Sequence, residues 1–125
     1  MGILLKPLTV DYLEDYMRLV NSREVHKTTQ PGEVFVPYDR LKIINWLEGL
    51  SSKTERNDFA IIDSATGQFI GEVVLNECSD ASCNIRIAIL PDFFDRGYGT
   101  KAIQKACEYA FKNRGLQQIT LGCLL

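Results

Sequence analysis

Hydrophobic positions recur at helical spacing in the first third of the chain, at strand spacing in the middle, and at helical spacing again towards the end. Ile3-Leu4-Leu5 is a short apolar strand candidate closed by Pro7, and Thr9 then stands where an N-cap belongs, ahead of a helix over about 10–21. The core stripe of that helix reads Leu13, Tyr16, Met17 and Val20. Residues 22–37 carry Pro31, Gly32 and Pro37 without a clear period and read as an irregular connection between two helices. Connections of this kind often shape substrate sites. Asp39 caps a second helix over about 40–50, with Leu41, Ile44 and Leu47 at helical spacing and Trp46 and Leu50 widening the stripe.

From about residue 57 the pattern turns extended. Phe59-Ala60-Ile61-Ile62 followed by the turn-rich Asp63-Ser64-Ala65-Thr66-Gly67 predicts a hairpin whose returning strand runs from Phe69 to Leu75. A second polar turn around Ser79–Ser82 leads into a strand over Asn84–Leu90, with Ile85, Ile87 and Ile89 on one face, and Pro91 ends it. Gly99 to Arg114 returns to helical spacing, with Ala102, Ile103, Ala106, Cys107, Ala110 and Phe111 on one side and Gly115 as the C-terminal cap. Gln118–Leu125 has strand composition and follows the helix as a parallel crossover would. The order β-α-α-β-β-β-α-β describes one α/β domain over residues 1–125, a length that buries a single sizeable core.

Charge and composition exclude some classes. Lys+Arg number 14 against Asp+Glu 16, for a net charge of -2, and no basic stripe calls for nucleic acid. Apolar runs fall far short of the roughly 20 residues that span a bilayer, and the amino terminus lacks a secretory pattern, so no membrane and a cytoplasmic location are expected. Cys78 and Cys83 lack a downstream histidine, which argues against zinc. A hairpin at 78–83 would bring these two thiols within bridging range, but a cytoplasmic setting favours free thiols. Cys107 reads as core filling.

The chemistry sits where a strand, a proline bend, a Gly-x-Gly turn and a helix follow one another directly. Gly97 and Gly99 let the chain curl and approach a ligand closely, and the first helical turn leaves N–H donors without internal partners. With the positive end of the helix dipole, the backbone from Asp95 to Thr100 suits a pyrophosphate. Arg96 either adds a charge or points to solvent. No Gly-Lys-Ser/Thr follows, as a P-loop requires, and the hairpins ahead of the turn fit poorly with a dinucleotide-binding Rossmann domain.

The segment from Ile85-Arg86-Ile87-Ala88-Ile89-Leu90-Pro91 through Asp92-Phe93-Phe94-Asp95-Arg96-Gly97-Tyr98-Gly99-Thr100-Lys101-Ala102 resembles the acetyl-CoA motif of the GNAT superfamily of N-acetyltransferases. The likeness is to the branch of ribosomal-protein and spermidine acetyltransferases, and it includes the paired amino-terminal helices and the Phe69-Ile70-Gly71-Glu72 strand opening. Phe94 stands where the motif Gln/Arg-x-x-Gly-x-Gly/Ala begins, a place where that branch also carries aromatics. The resemblance implies a mixed, mostly antiparallel sheet flanked by helices. It implies acetyl-CoA as co-substrate, held by Phe94, Asp95, Arg96, Gly97, Tyr98, Gly99 and Thr100, with the backbone of Ile87, Ala88 and Ile89 along the pantetheine arm. One backbone N–H of that strand would stabilise the thioester oxyanion.

The implied reaction is direct acetyl transfer to a primary amine: a protein N-terminus, a polyamine or another small amine. An attacking amine must be neutral, and Glu72 is the candidate base with Glu77 behind it. His26, the single histidine, is given no role. Family members continue past the last strand with a helix and two strands, so the chain reads as lacking the part that commonly supplies a tyrosine acid. Its strand at 118–125 would then be an open sheet edge, a place for a homo-oligomer contact. Two rival readings are a non-catalytic CoA-binding or oligomerising module and a nucleotide- or phosphate-binding domain.

Overall fold

Strand and helix faces of opposite polarity assemble here into one sheet with a helix on one side and three on the other. The computed structural model describes residues 2–79, 81–115 and 118–121. Its sheet is formed by β1 (Ile3–Pro7), β2 (Asn57–Asp63), β3 (Phe69–Asn76), β4 (Ser82–Ile89) and β5 (Gln118–Leu121), in that spatial order. The first four strands pair antiparallel and β5 runs parallel to β4, the mixed, mostly antiparallel sheet that the resemblance implies. Residues 122–125, the rest of the expected last strand, lie outside the described residues.

The helices are α1 (Leu13–Val20), α2 (Arg23–Thr29), α3 (Arg40–Gly49) and α4 (Tyr98–Asn113), with short 3₁₀ turns at Val10–Tyr12, Leu50–Ser52 and Pro91–Phe93. Thr9 and Asp39 cap as their positions suggest: Thr9 Oγ1 accepts from the Asp11 N–H and an Asp39 carboxylate oxygen from the Lys42 N–H. α2 corrects the expectation of an irregular segment over 22–37. Ser22 caps it, accepting from the Val25 N–H at 3.3 Å, and Val25 carries it into the core. A seven-residue helix with one buried apolar residue leaves no readable period.

Two further corrections concern which face of a helix is buried. α3 buries Ile43 and Leu47, whereas Leu41 is 63% exposed. Positions two apart on a helix point about 200° apart, so Leu41 cannot share a face with Ile43. α4 buries Ala102, Ala106 and Ala110 completely and leaves Phe111 on its outer side.

One core lies between α4 and the sheet face bearing Phe59, Ile61, Val73, Ile85 and Ile87. The other lies beneath α1–α3, against Ala60, Ile62, Phe69 and Leu90. β3 is apolar on both faces along its length except at Glu72 and its last residue, Asn76. At Gly71 the neighbouring strand β4 leaves no room for a side chain: a Cβ built there would stand 2.1 Å from the Ala88 carbonyl oxygen and 2.9 Å from the Ile89 Cα. Gly71→Ala is therefore expected to force the strands apart and cost about 1–3 kcal/mol. Urea denaturation measures this; an unchanged midpoint would disprove the close approach.

The thiols of Cys78 and Cys83 form a disulfide, where free thiols were expected. Beyond the Asn76–Asn84 pair the left-handed Glu77 (φ 50°) breaks the regular register, and the turn closes with the Cys78 and Cys83 Cα atoms 4.1 Å apart. The geometry of the turn therefore outweighed the argument from compartment.

Candidate functional site

Leaving β4, the chain bends through Leu90, whose N–H donates to the Ile70 carbonyl at 2.8 Å, and through the 3₁₀ turn at Pro91–Phe93. Asp95 (φ 59°) and Gly97 (φ 81°) both adopt the left-handed conformation that throws the chain into α4. Asp tolerates this region better than most residues, and at Gly97 only glycine is free of strain. Gly97 is the N-cap, and the Lys101 N–H bonds back to its carbonyl. The N–H groups of Tyr98, Gly99 and Thr100 precede that first helical bond, so the helix itself offers them no acceptor. Conformation thus demands glycine at 97; at Gly99 a Cβ would make only an ordinary contact, 3.6 Å from Ile87 Cδ1.

The residues expected to hold a cofactor fall into two kinds. Asp95, Arg96, Gly97 and Thr100 are exposed around the turn, and Gly99 is half-buried. Tyr98 is buried, packs edge-on against Phe93, and donates its hydroxyl to Asp63 at 2.9 Å. Its side chain is thus an anchor, leaving only its backbone for a ligand. That bond and the N–H groups of Ala65 and Thr66 hold the Asp63 carboxyl below its ordinary range. Phe94 is half-buried against the α1–α3 core, and the Arg96 guanidinium lies 5.9 Å from the Phe93 ring centroid.

β4 also forms a wall of a cavity of about 490 Å³ between the sheet and helices α1–α3. Ile87, Ala88 and Arg86 line it from β4, and Glu72, Val74 and Asn76 from β3. Because the Leu90 N–H points to β3, antiparallel alternation turns the backbone groups of Ile89 to the opposite, β5 side.

Two carboxylates meet the cavity, and their environments differ. Asp58, only 3% exposed at its side chain, holds the Arg56 guanidinium through two bonds of 2.6 and 2.7 Å, and Arg56 in turn stacks on Trp46. Glu72 has a buried Oε2 without a hydrogen-bond partner among the described residues, and Asn76 Oδ1 is in the same state. Burial, followed by the Asp58 charge, pushes the Glu72 carboxyl up to about 8, with Arg56 and Arg86 opposing. Burial and the same two carboxylates drive the Tyr16 hydroxyl far up, so it stays protonated.

Glu72 is thus where a candidate base should be, inside the cavity. Glu77 is not: it sits at the β3–β4 turn, accepting from Asn84 Nδ2. His26, given no role, does line the cavity, with Nε2 bonded to the Glu33 carbonyl at 2.9 Å. Sequence reasoning missed Arg56, Asp58 and Asn76. Asp58 and Glu72 are isolated carboxylates within apolar strands, and that irregularity was the available signal. Among the described residues no group of three or more His, Cys, Asp or Glu side chains is placed to hold a metal ion, and no helix is long and apolar enough to cross a membrane.

A family model described as an acetyltransferase (GNAT) domain matches residues 3–124. Among solved structures, a chimera of spermidine N-acetyltransferase SpeG from Vibrio cholerae and hSSAT matches with a TM-score of 0.79 at 21% identity, over 95% of this chain and 69% of that one. A GNAT-family acetyltransferase from Bacillus anthracis gives 0.75 at 22%, over 95% and 68%. Spermidine N-acetyltransferase from Vibrio cholerae in complex with CoA and spermine gives 0.74 at 24%, over 94% and 68%. At these identities the likeness bears on the fold. No curated protein sequence matches the chain.

Proposed function

The chain belongs to the GNAT acetyltransferase family, whose members take acetyl-CoA as co-substrate, and from that premise we propose that residues 1–125 act as one domain that acetylates a primary amine by direct transfer. The observation that carries this reading is the double use of β4. Its Arg86–Ala88 stretch walls the cavity, and a few residues later it feeds the glycine turn at the start of α4. A donor lying along β4 and an amine in the cavity would therefore meet at one strand, which is the proximity that acyl transfer needs.

The turn suits a phosphate: the position that a Cβ would take at Gly97 is open, with no heavy atom within 4 Å beyond its own chain neighbours, and the first-turn N–H groups of a 16-residue helix start there. Residues Asp95–Thr100 would hold the pyrophosphate, chiefly through backbone, and the β5-facing backbone groups of Ile89 the pantetheine arm. Acetyl-CoA supplies the activated acetyl group. Glu72, once ionised, takes a proton from the acceptor ammonium so that the nitrogen can form the new C–N bond as the C–S bond breaks. A backbone N–H in the Ile87–Ile89 stretch stabilises the charge developing on the carbonyl oxygen. The nitrogen's second surplus proton, shed as the C–N bond forms, passes through solvent to the departing sulfur, so that CoA leaves as the thiol.

Titration calorimetry of the folded protein with acetyl-CoA is the test, followed by an amine panel that reads released CoA thiol. Micromolar binding followed by turnover is expected. Binding without turnover would replace this reading with that of a non-catalytic CoA-binding module, and absence of binding would end it.

A further inference from the structure

A cavity built for a polycation should be acidic, and this one is not. Lys42, Arg56 and Arg86 line it against Asp58 and Glu72. Arg56 is committed to Asp58 through two bonds, and Glu72, with its carboxyl near 8, is mostly neutral at pH 7 in the empty site. Lys42 and Arg86 enter no ion pair among the described residues. A polyamine reaching Glu72 with one ammonium would bring its others up to these two cations, a like-charge arrangement that costs affinity.

Strand register fixes how the opposite poles are spaced. Arg86 pairs with Val74 and Val74 with Asp58, while Glu72 stands one same-face pair further on, between Ala60 and Ala88. Glu72 and Arg86 are therefore diagonal neighbours on one sheet face, their Cα atoms about 7–8 Å apart. Asn76 lies on the same face, diagonal to Arg86 on its other side. Glu72 Oε2 and Asn76 Oδ1 are buried acceptors that lack donors, whereas Arg86 is an exposed guanidinium at the cavity wall, suited to bidentate contact with a carboxylate or phosphate.

We propose that the acceptor of this site is a primary amine carrying an anionic group, carboxylate or phosphate, a few bonds from its nitrogen, and that Arg86 is the residue that selects it over a polyamine. This rests on the acetyltransferase reading above. The amine N–H groups satisfy the orphaned acceptors at the cavity floor while the anion is held by Arg86, with Lys42 adding positive field.

Four acceptors test it with the full protein and saturating acetyl-CoA: γ-aminobutyrate, aminopropyl phosphate, butylamine and spermidine. At least one of the two anionic amines is expected to exceed butylamine and spermidine in kcat/KM by about tenfold or more, the worth of a charge-assisted hydrogen bond; which of the two leads tells carboxylate from phosphate. Arg86→Glu, an exposed change whose folding a melting curve checks, should raise KM for the anionic amine and abolish the preference while leaving KM for acetyl-CoA unchanged. Arg86→Lys should restore part of it. Equal use of all four amines, a preference for spermidine, or an Arg86→Glu effect confined to acetyl-CoA would overturn the proposal. No turnover of any of the four by protein that binds acetyl-CoA would instead remove the transfer reading beneath it, and the acceptor class with it.

Discussion

Glu72→Gln is expected to lower kcat for acetyl transfer by about 10²–10⁴-fold while acetyl-CoA binding is kept, because an amide of the same shape cannot accept the acceptor's proton. The raised carboxyl adds a pH signature. As the proposed base, Glu72 would act only when ionised, so wild-type rates should climb with pH until the group, near 8 in the free protein, is deprotonated, then level off. In the Gln variant that limb should vanish, leaving only the titration of the amine itself. Stability gives an independent reading. The native carboxyl keeps its proton to about 8, whereas a freely solvated one releases it near 4.5, so between these values the folded state binds more protons than the unfolded. The contribution is complete below about 4.5 and is lost as pH rises through about 8, so Tm should fall over that window, and less steeply in Glu72→Gln. A variant with wild-type kcat and an unchanged profile would exclude Glu72 as the base.

Gly97→Trp is expected to weaken acetyl-CoA binding by about a hundredfold or more, ~3 kcal/mol. Two effects add. The left-handed φ of 81° strains any side chain, and the indole would occupy the open space beside the first-turn N–H groups that we propose as the pyrophosphate site. Gly115→Trp separates the two, since Gly115 at the other end of α4 also has a left-handed φ, 64°, and open surroundings. It should lose comparable stability and keep its affinity for acetyl-CoA by calorimetry. Equal affinities in the two variants would move the phosphate elsewhere.

Much of this architecture was legible because local signals agreed with the final packing. Thr9 and Asp39 cap where a short polar side chain precedes an apolar period, and β2 to β4 follow from alternation and turn residues. The glycine turn was legible because its meaning is conformational, and Gly97 does adopt the φ that only glycine takes freely. What escaped was long-range. α2 has a single apolar residue, the buried Val25, and therefore no period; Leu41 and Phe111 are apolar residues that tertiary packing left outside. The Cys78–Cys83 pairing depended on how the β3–β4 turn closes, with Glu77 in the left-handed region. The Arg56–Asp58 pair is local, two residues apart, but its burial against Trp46 and the isolation of Glu72 are properties of the strands and the helix layer together. Position singled out Glu72, but not why its carboxyl is raised.

The fully buried alanines at 102, 106 and 110 have a further consequence. With a single methyl group at each of these three contacts, α4 can lie close against the strands along this line, with Tyr98, Ile103, Cys107 and Tyr109 packing on either side of it. The donors at its amino end are therefore positioned by the sheet itself, with Tyr98 and Asp63 as a second tether. Their ordering entropy is lost once, during folding, and not again at each encounter with a ligand. Association at this turn should accordingly behave as docking onto a preformed surface, its speed set by diffusion and orientation and not by a prior rearrangement.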